Sequence, residues 1–331
     1  MDKDCAGAAG PKVVLRTAWP PAALKRLAGA FPDARIIACP DDQGLEAELG
    51  DAEVLIGGAG LAVETAAGAP NLRWVQALSV GVEGFLDLAR ARPKIVVANG
   101  RGVNVTPIAE HAVMLMLSFA RGMPELARRQ ADRHWLPPTR DHAPEVFELA
   151  GATLGLIGYG RIGRAIAARA KAFGMTIWAM RRSGEAAGED IADRILGPTD
   201  FGEMLGAVDH LVATAPLTPG TARLMDAAAF ARMKPGAFFY NLGRGGVVDH
   251  AALIAALEAG RLGGAGLDVV EPEPLPSESP FWAMPNVIVT GHTAGFTPNL
   301  MARNLDFLVA QFGRYRRGEP LENRIDGVAG Y

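Results

Sequence analysis

At 331 residues the chain is long enough for two domains of about 150 residues each. With 33 Lys and Arg against 36 Asp and Glu its formal charge is −3, which excludes a nucleic-acid or acidic-membrane partner held by bulk charge. Hydrophobic residues at 49% exclude a disordered chain, and 40 glycines without a Gly-X-Y period exclude collagen and point to tight turns or close backbone approach.

Cys5 and Cys39 are the only cysteines, with no C-x-x-C spacing for a metal or redox pair, so a reduced intracellular compartment and no metal site are expected. Met1-Asp2-Lys3-Asp4 is charged and no apolar signal region follows it. The longest apolar stretch, 108–120, contains Glu110 and His111 and is too short to span a bilayer. A cytoplasmic protein with no membrane partner is the expectation.

Short apolar runs at 12–16, 35–39, 53–56, 73–77 and 94–97 read as strands, with helical stretches such as 22–28 and 45–49 between them. This alternation predicts a parallel sheet covered on both faces. An apolar helix is expected over 107–121, with Thr106-Pro107 as its cap and first residue. The polar segment 122–148, with three prolines within 136–144, reads as an excursion from the globular body, of the kind that serves oligomer contacts. A second strand series follows at 153–157, 176–179, 210–214, 237–241, 266–270 and 286–290. Two α/β sheets in one chain are therefore predicted.

After the strand ending at Ile157 comes Gly158-Tyr159-Gly160-Arg161-Ile162-Gly163, then a helical run over 164–173. This is G-x-G-x-x-G in its required strand–turn–helix setting. Gly158 allows the tight turn, Gly160 lets a pyrophosphate approach the backbone, and Gly163 permits close helix–strand packing. The helix start offers N–H groups and partial positive charge to the phosphates. The next strand runs into Met180-Arg181-Arg182-Ser183, and Arg181 stands 18 residues after Gly163, about where an acid would hold the ribose hydroxyls of NAD. Two guanidinium groups there suit a 2′-phosphate, which favours NADP over NAD; a solvated surface pair is the alternative.

Three ionisable residues follow strands of the second series: Arg244 in Asn-Leu-Gly-Arg-Gly-Gly, Glu273 in Glu-Pro-Glu-Pro, and His292 in Gly-His-Thr. Ligands of open α/β sheets bind at that edge. Hydride transfer to a 2-keto acid needs these residue types. An arginine holds the carboxylate and polarises the ketone, a histidine protonates the developing alkoxide, and a carboxylate orients the imidazole and favours its charged form. Position alone ranks His292 only modestly above His210 and His250.

Several ordered motifs carry a resemblance over nearly the whole chain: Leu154-Gly-Leu-Ile-Gly-Tyr-Gly-Arg-Ile-Gly163, Pro216-Leu-Thr-Pro-Gly-Thr221, Met233-Lys-Pro-Gly-Ala237, Asn241-Leu-Gly-Arg-Gly-Gly-Val-Val-Asp249, Gly266-Leu-Asp-Val-Val-Glu-Pro-Glu-Pro-Leu275, Asn286-Val-Ile-Val-Thr-Gly-His292 and the ending Asn323 to Tyr331. The sequence resembles the D-isomer-specific 2-hydroxyacid dehydrogenases, in the glyoxylate/hydroxypyruvate reductase subgroup. The resemblance implies two Rossmann-like α/β domains with parallel sheets. One is a flavodoxin-like, discontinuous substrate domain over 1–101 and 297–331; the other is an inserted dinucleotide-binding domain over 102–296, with the active site in a closing cleft.

It also implies that Arg244, Glu273 and His292 are the catalytic trio, that Asp268 contacts the nicotinamide side, and that Arg161 and Ile162 flank the pyrophosphate. Ala215, Pro216, Thr221, Leu242 and Gly243 would line the cofactor cleft, and the Ser79-Val80-Gly81-Val82 loop would receive the substrate carboxylate on backbone N–H groups. The sequence departs from the family's pattern at Arg181, where an NAD-selecting acid is usual, and at His250, where an acid often follows Asp249. The expected activity is NADPH-dependent reduction of glyoxylate or hydroxypyruvate by a cytoplasmic homodimer. Rival readings are D-lactate, phosphoglycerate, phenylpyruvate, or formate or phosphite chemistry, and a nucleotide-sensing co-regulator without catalysis.

Overall fold

The strand runs pair in parallel throughout, and each sheet is apolar on both faces because successive residues of its strands enter different cores. The computed structural model describes residues 10–58, 66, 68–81, 83–135, 146–184 and 190–327. Cys5, His142, Val82, the proline-rich stretch within 136–144 and the last residues of the tail motif lie outside them. The chain divides into two compact units, Met1–Val103 with Pro298–Tyr331, and Asn104–Thr297.

In the smaller unit, β1 (Lys12–Arg16), β2 (Arg35–Cys39), β3 (Val54–Gly57), β4 (Trp74–Ala77) and β5 (Val96–Ala98) form one sheet in the order β2-β1-β3-β4-β5, the flavodoxin-like order. Helices α1 (Pro21–Ala30), α2 (Asp42–Leu49), α3 (Leu86–Ala91) and the late helix Leu300–Arg316 belong to it. Val14, Leu55 and Val75 enter one core with Leu45 and Leu88. Val13, Leu15 and Trp74 enter the other with Leu308 and Phe312 of the late helix.

The larger unit holds β6 (Thr153–Ile157), β7 (Thr176–Met180), β8 (Arg194–Leu196), β9 (His210–Ala213), β10 (Ala237–Asn241), β11 (Leu262–Leu267) and β12 (Val287–Val289), in the order β12-β11-β10-β9-β6-β7-β8. This is the doubly wound Rossmann order with one strand added, and the strand order reverses between β6 and β9, where ligands of such sheets bind. Its helices are α4 (Val105–Ala120), α5 (Met123–Ala131), α6 (Arg161–Ala172), α7 (Phe201–Ala207), α8 (Ala227–Arg232) and α9 (His250–Glu258). Asp226 and Asp249 cap α8 and α9 by accepting the N–H groups of Ala229 and Ala252.

Three local expectations need correction and one gains detail. The apolar helix starts at Val105 after Asn104, so Thr106 and Pro107 sit inside its first turn, where a missing N–H breaks no bond. The polar segment after it is helical over α5, where Glu125 pairs with Arg128 and Arg129 one turn away. The cofactor-domain helix begins directly after Gly160, at Arg161. The strand expected over 266–270 ends at Leu267 and begins at Leu262. Glycines in Leu262-Gly-Gly-Ala-Gly hide that strand from a propensity reading, whereas buried Val269 and Val270 falsely extend it. Strand β8 was not anticipated.

Two of those glycines seat α4 on the sheet. A β-carbon at Gly264 would stand 2.8 Å from Asn286 O and 2.9 Å from the Phe119 ring; one at Gly266 would stand 2.9 Å from the Tyr240 ring and 3.0 Å from Leu115. Leu115 is fully buried. Gly266→Val therefore overpacks this seam and should destabilise the larger unit by about 1–3 kcal/mol. Chemical denaturation followed by near-UV circular dichroism measures it, and an unchanged midpoint would show that α4 yields freely.

Candidate active site

Three neighbouring strands, β10, β11 and β12, deliver Arg244, Glu273 and His292 in successive loops at the carboxyl edge of the larger sheet. Asn241 is fully buried and ties the first loop, donating to Arg244 O at 2.9 Å and accepting from Gly243 N at 3.2 Å. Arg244 Nη1 donates to Gly243 O at 2.8 Å. A β-carbon at Gly245 would overlap Val270 O, so the first loop lies directly on the second. The Val270 N–H donates to Glu273 Oε1 at 3.2 Å, and Glu273 Oε2 stands 2.8 Å from His292 Nδ1. The side chains of this pair are 54% (His292) and 38% (Glu273) exposed. The structure thus joins Glu273 to His292 and sets the Arg244 loop beside them.

His292 has φ +58°, a left-handed backbone that costs a non-glycine residue on the order of 1–2 kcal/mol. Asp268 holds it there. The His292 N–H donates to Asp268 O, and Asp268 Oδ1 accepts from Thr293 N at 2.9 Å, Ala294 N at 3.1 Å and Thr290 Oγ1 at 2.7 Å. The Asp268 side chain is buried, and charge-assisted bonds to N–H and O–H groups offset the cost of burying a carboxylate.

The rival histidines lie elsewhere. His210 opens β9 inside the core, stacked on Phe238 with Nδ1 3.0 Å from Tyr240 Oη, and burial brings its pKa down to about 4. It is a neutral packing residue. His250 starts α9, with Nδ1 3.0 Å from Glu271 O and its ring edge-on to Phe281; burial lowers its pKa.

The glycine turn fits a dinucleotide. Gly158 takes φ +94°, and a β-carbon there would stand 2.8 Å from Ala215 N across the strand reversal. One at Gly163 would overlap Gly158 O, whereas among the described residues nothing lies within 4 Å of one at Gly160. The fold therefore requires the first and third glycines, and the second keeps open a space where α6 begins. Arg161 is exposed there, and Ile162 is partly buried against the α6 core.

At the end of β7 the arginines are not alone. Asp190, which a reading confined to the strand end does not reach, receives both Arg181 and Arg164 on its two oxygens. Both guanidinium groups lie near the Tyr159 ring, at 5.4 Å for Arg181 and 5.6 Å for Arg164. Arg182 and Ser183 are exposed next to them. On the other side of the turn Ala215 is buried and Pro216 exposed. The Thr221 hydroxyl donates to Pro216 O at 2.6 Å and accepts from Thr218 N at 2.8 Å, so it closes its own turn. Leu242 packs into the core below buried Gly243. In the smaller unit, the carbonyls of Ser79 and Val80 accept from Gly100 N and Asn99 Nδ2, both at 2.9 Å. Among the described residues the Val80 and Gly81 N–H groups meet no acceptor.

The profile of "D-isomer specific 2-hydroxyacid dehydrogenase, NAD binding domain" matches residues 113–294, more than half of the chain. The chain belongs to the D-isomer-specific 2-hydroxyacid dehydrogenase family. It is thus an NAD(P)-dependent oxidoreductase on the glyoxylate/hydroxypyruvate reductase side of that family. The dehydrogenase is 39% identical over 232 residues to glyoxylate/hydroxypyruvate reductase B of Citrobacter koseri, covering 69% of this chain and 70% of that one. Its structure is similar to that of a family protein from Aeromonas salmonicida, with TM-score 0.86 and 31% identity over 96% of this chain and 99% of that one. It is also similar to an NADPH-dependent glyoxylate/hydroxypyruvate reductase from Sinorhizobium meliloti in complex with NADP and sulfate, with TM-score 0.83 and 30% identity over 97% and 100% of the two chains.

Because Gly160 faces open space at φ −90°, Gly160→Val in the dehydrogenase should fold normally yet fill the pyrophosphate approach. NADPH binding followed by fluorescence should weaken at least about tenfold, while the melting temperature stays close to wild type. A variant that binds cofactor normally would separate this turn from the dinucleotide.

Proposed function

We propose that the enzyme reduces small 2-keto acids, glyoxylate or hydroxypyruvate first, to D-2-hydroxy acids, with NADPH preferred over NADH. The observation that carries this reading is the Glu273–His292 pair at 2.8 Å beside the Arg244 loop. The bound nicotinamide supplies the hydride. Arg244 holds the substrate carboxylate and polarises the carbonyl oxygen. Nδ1 of His292 is committed to Glu273, so Nε2 is the atom that gives its proton to the developing alkoxide. Asp268 keeps the histidine loop in its left-handed turn at the nicotinamide side. Glu273 orients the imidazole by holding its Nδ1, leaving Nε2 facing the substrate side.

The NADP preference is supported by charge at the end of β7. Asp190 cancels one of Arg164 and Arg181, and Arg182 adds a further cation beside them. The Sinorhizobium meliloti relative bound to NADP has the same overall architecture. Exposed Met114, Met123 and Leu126 on the consecutive helices α4 and α5 support a homodimer, since large apolar side chains at a surface favour association. We place the enzyme in the cytoplasm on the strength of its bacterial relatives and its substrate class.

Purified enzyme with NADPH and glyoxylate should consume NADPH absorbance. His292→Ala should lower kcat by about 10²–10⁴-fold with cofactor affinity nearly unchanged. A near-normal rate in that variant removes His292 from proton transfer, and no turnover of any small 2-keto acid by wild type overturns the reading. Replacing both Arg181 and Arg182 by Ala should raise KM for NADPH at least about tenfold more than KM for NADH. Equal effects on the two cofactors would show that these residues do not read the phosphate.

A further inference from the structure

Helix α4 supplies none of the trio, yet it brings His111 to the loop that carries His292. His111 Nε2 lies 2.9 Å from Thr290 Oγ1 and 3.8 Å from Asp268 Oδ1, and its side chain is 15% exposed. Counting donors fixes the direction of each bond. Thr290 Oγ1 stands 2.7 Å from Asp268 Oδ1, and an ionised carboxylate only accepts, so the one hydroxyl hydrogen goes to Asp268. The hydroxyl has no second hydrogen to give, so His111 Nε2 carries the proton and donates to it. Burial pushes the His111 pKa down, against the pull of the Asp268 charge. A neutral ring protonated at Nε2 satisfies both constraints.

The chain of bonds continues into the catalytic loop. The same Asp268 oxygen that receives Thr290 also receives Thr293 and Ala294 N–H, and Thr293 Oγ1 donates to Thr290 O at 2.7 Å. His292 sits between these anchors, with its own N–H on Asp268 O. Without a donor at position 111, the Thr290 hydroxyl loses the partner that holds it in the orientation bonding Asp268. The loop would then keep its backbone bonds but lose the side-chain latch that makes its geometry single-valued.

We propose that His111 is a positioning residue: through Thr290 and Asp268 it fixes the 290–294 loop and thereby the aim of the His292 imidazole. Its catalytic consequence rests on the reductase reading above, whereas its effect on the loop does not. Misplacing a reacting group by about 1 Å can cost about 10²-fold in rate, so a loosened loop is visible in turnover.

The test compares His111→Leu, which removes the donor, with His111→Gln, which restores an N–H near the Nε2 position. Amide hydrogen exchange at Thr293 and Ala294 reads the loop directly in the full-length protein. His111→Leu should accelerate both by about tenfold or more, with His111→Gln close to wild type. In turnover with glyoxylate, His111→Leu should lower kcat about tenfold, leave KM for NADPH within about twofold, and enlarge the solvent deuterium isotope effect; Gln should restore most of the rate. Thr290→Val breaks the chain at its next link and should give the same signature, and the double variant should be no worse than either single one.

Should His111→Leu fail to fold, Thr290→Val alone carries both measurements. Unchanged exchange overturns the proposal, as does faster exchange with an unchanged kcat and isotope effect. Wild type that turns over no 2-keto acid overturns the reductase reading instead, and exchange still decides whether His111 fixes the loop.

Discussion

A parallel sheet ends in backbone N–H and C=O groups that no ladder satisfies, and the loops leaving it must find partners of their own. At the histidine loop of the larger unit that requirement is met by one buried residue. Asp268, directly beyond β11, takes the N–H groups of Thr293 and Ala294 and the Thr290 hydroxyl on its carboxylate, and the His292 N–H on its carbonyl. Magnitudes show why this matters more than the visible ion pair. An exposed ion pair is worth about 0–1 kcal/mol, and Glu273 and His292 are both substantially exposed, so their contact alone would not hold the ring in place. Bonds to an ionised group are worth about 1.5–3 kcal/mol each, and Asp268 makes several. The position of the imidazole is therefore set by the backbone beneath it, and Glu273 sets only its rotation.

The cofactor end follows a different logic, in which sterics dominate. Gly158 and Gly163 are fixed by backbone atoms that no side chain could displace, and Gly160 is fixed by no atom among the described residues. Residues that the fold demands and residues that a ligand demands are thus adjacent in one turn. Beside it, Asp190 gathers Arg164 and Arg181 against the Tyr159 face, so the guanidinium at the strand end is already oriented. Orientation has a cost in charge, since Asp190 neutralises one of the two cations.

Much of this was legible in the sequence, for physical reasons that differ from residue to residue. Apolar runs such as 153–157 and 237–241 declare strands because both faces of a parallel sheet are buried. Arg244, Glu273 and His292 were placed by their position after such runs, a rule that needs no tertiary contact. Asp190 was not legible, because it stands nine residues beyond Arg181 in the connection to β8 and only the folded chain joins the two. The 266–270 strand was misplaced for the opposite reason. Buried Val269 and Val270 imitate a strand, whereas the true one is written in glycines that propensity counts against. The Thr221 hydroxyl also closes the 216–221 turn, a local bond that motif spacing alone does not display.

The glycine excess ends as two kinds of residue rather than one. Some, such as Gly158, serve a backbone path; Gly264 and Gly266 serve a neighbour, because the atoms that exclude a side chain there belong to Phe119, Tyr240 and Leu115. That second kind links composition to chemistry. Thin β11 residues let α4 lie low on the sheet, and Leu115 at the contact is one helical turn from His111. A bulkier strand would lift the helix and stretch the His111–Thr290 contact toward and past about 3.2 Å, the upper end of the hydrogen-bond range. The His111–Thr290 bond at 2.9 Å therefore depends on glycines that take no part in it.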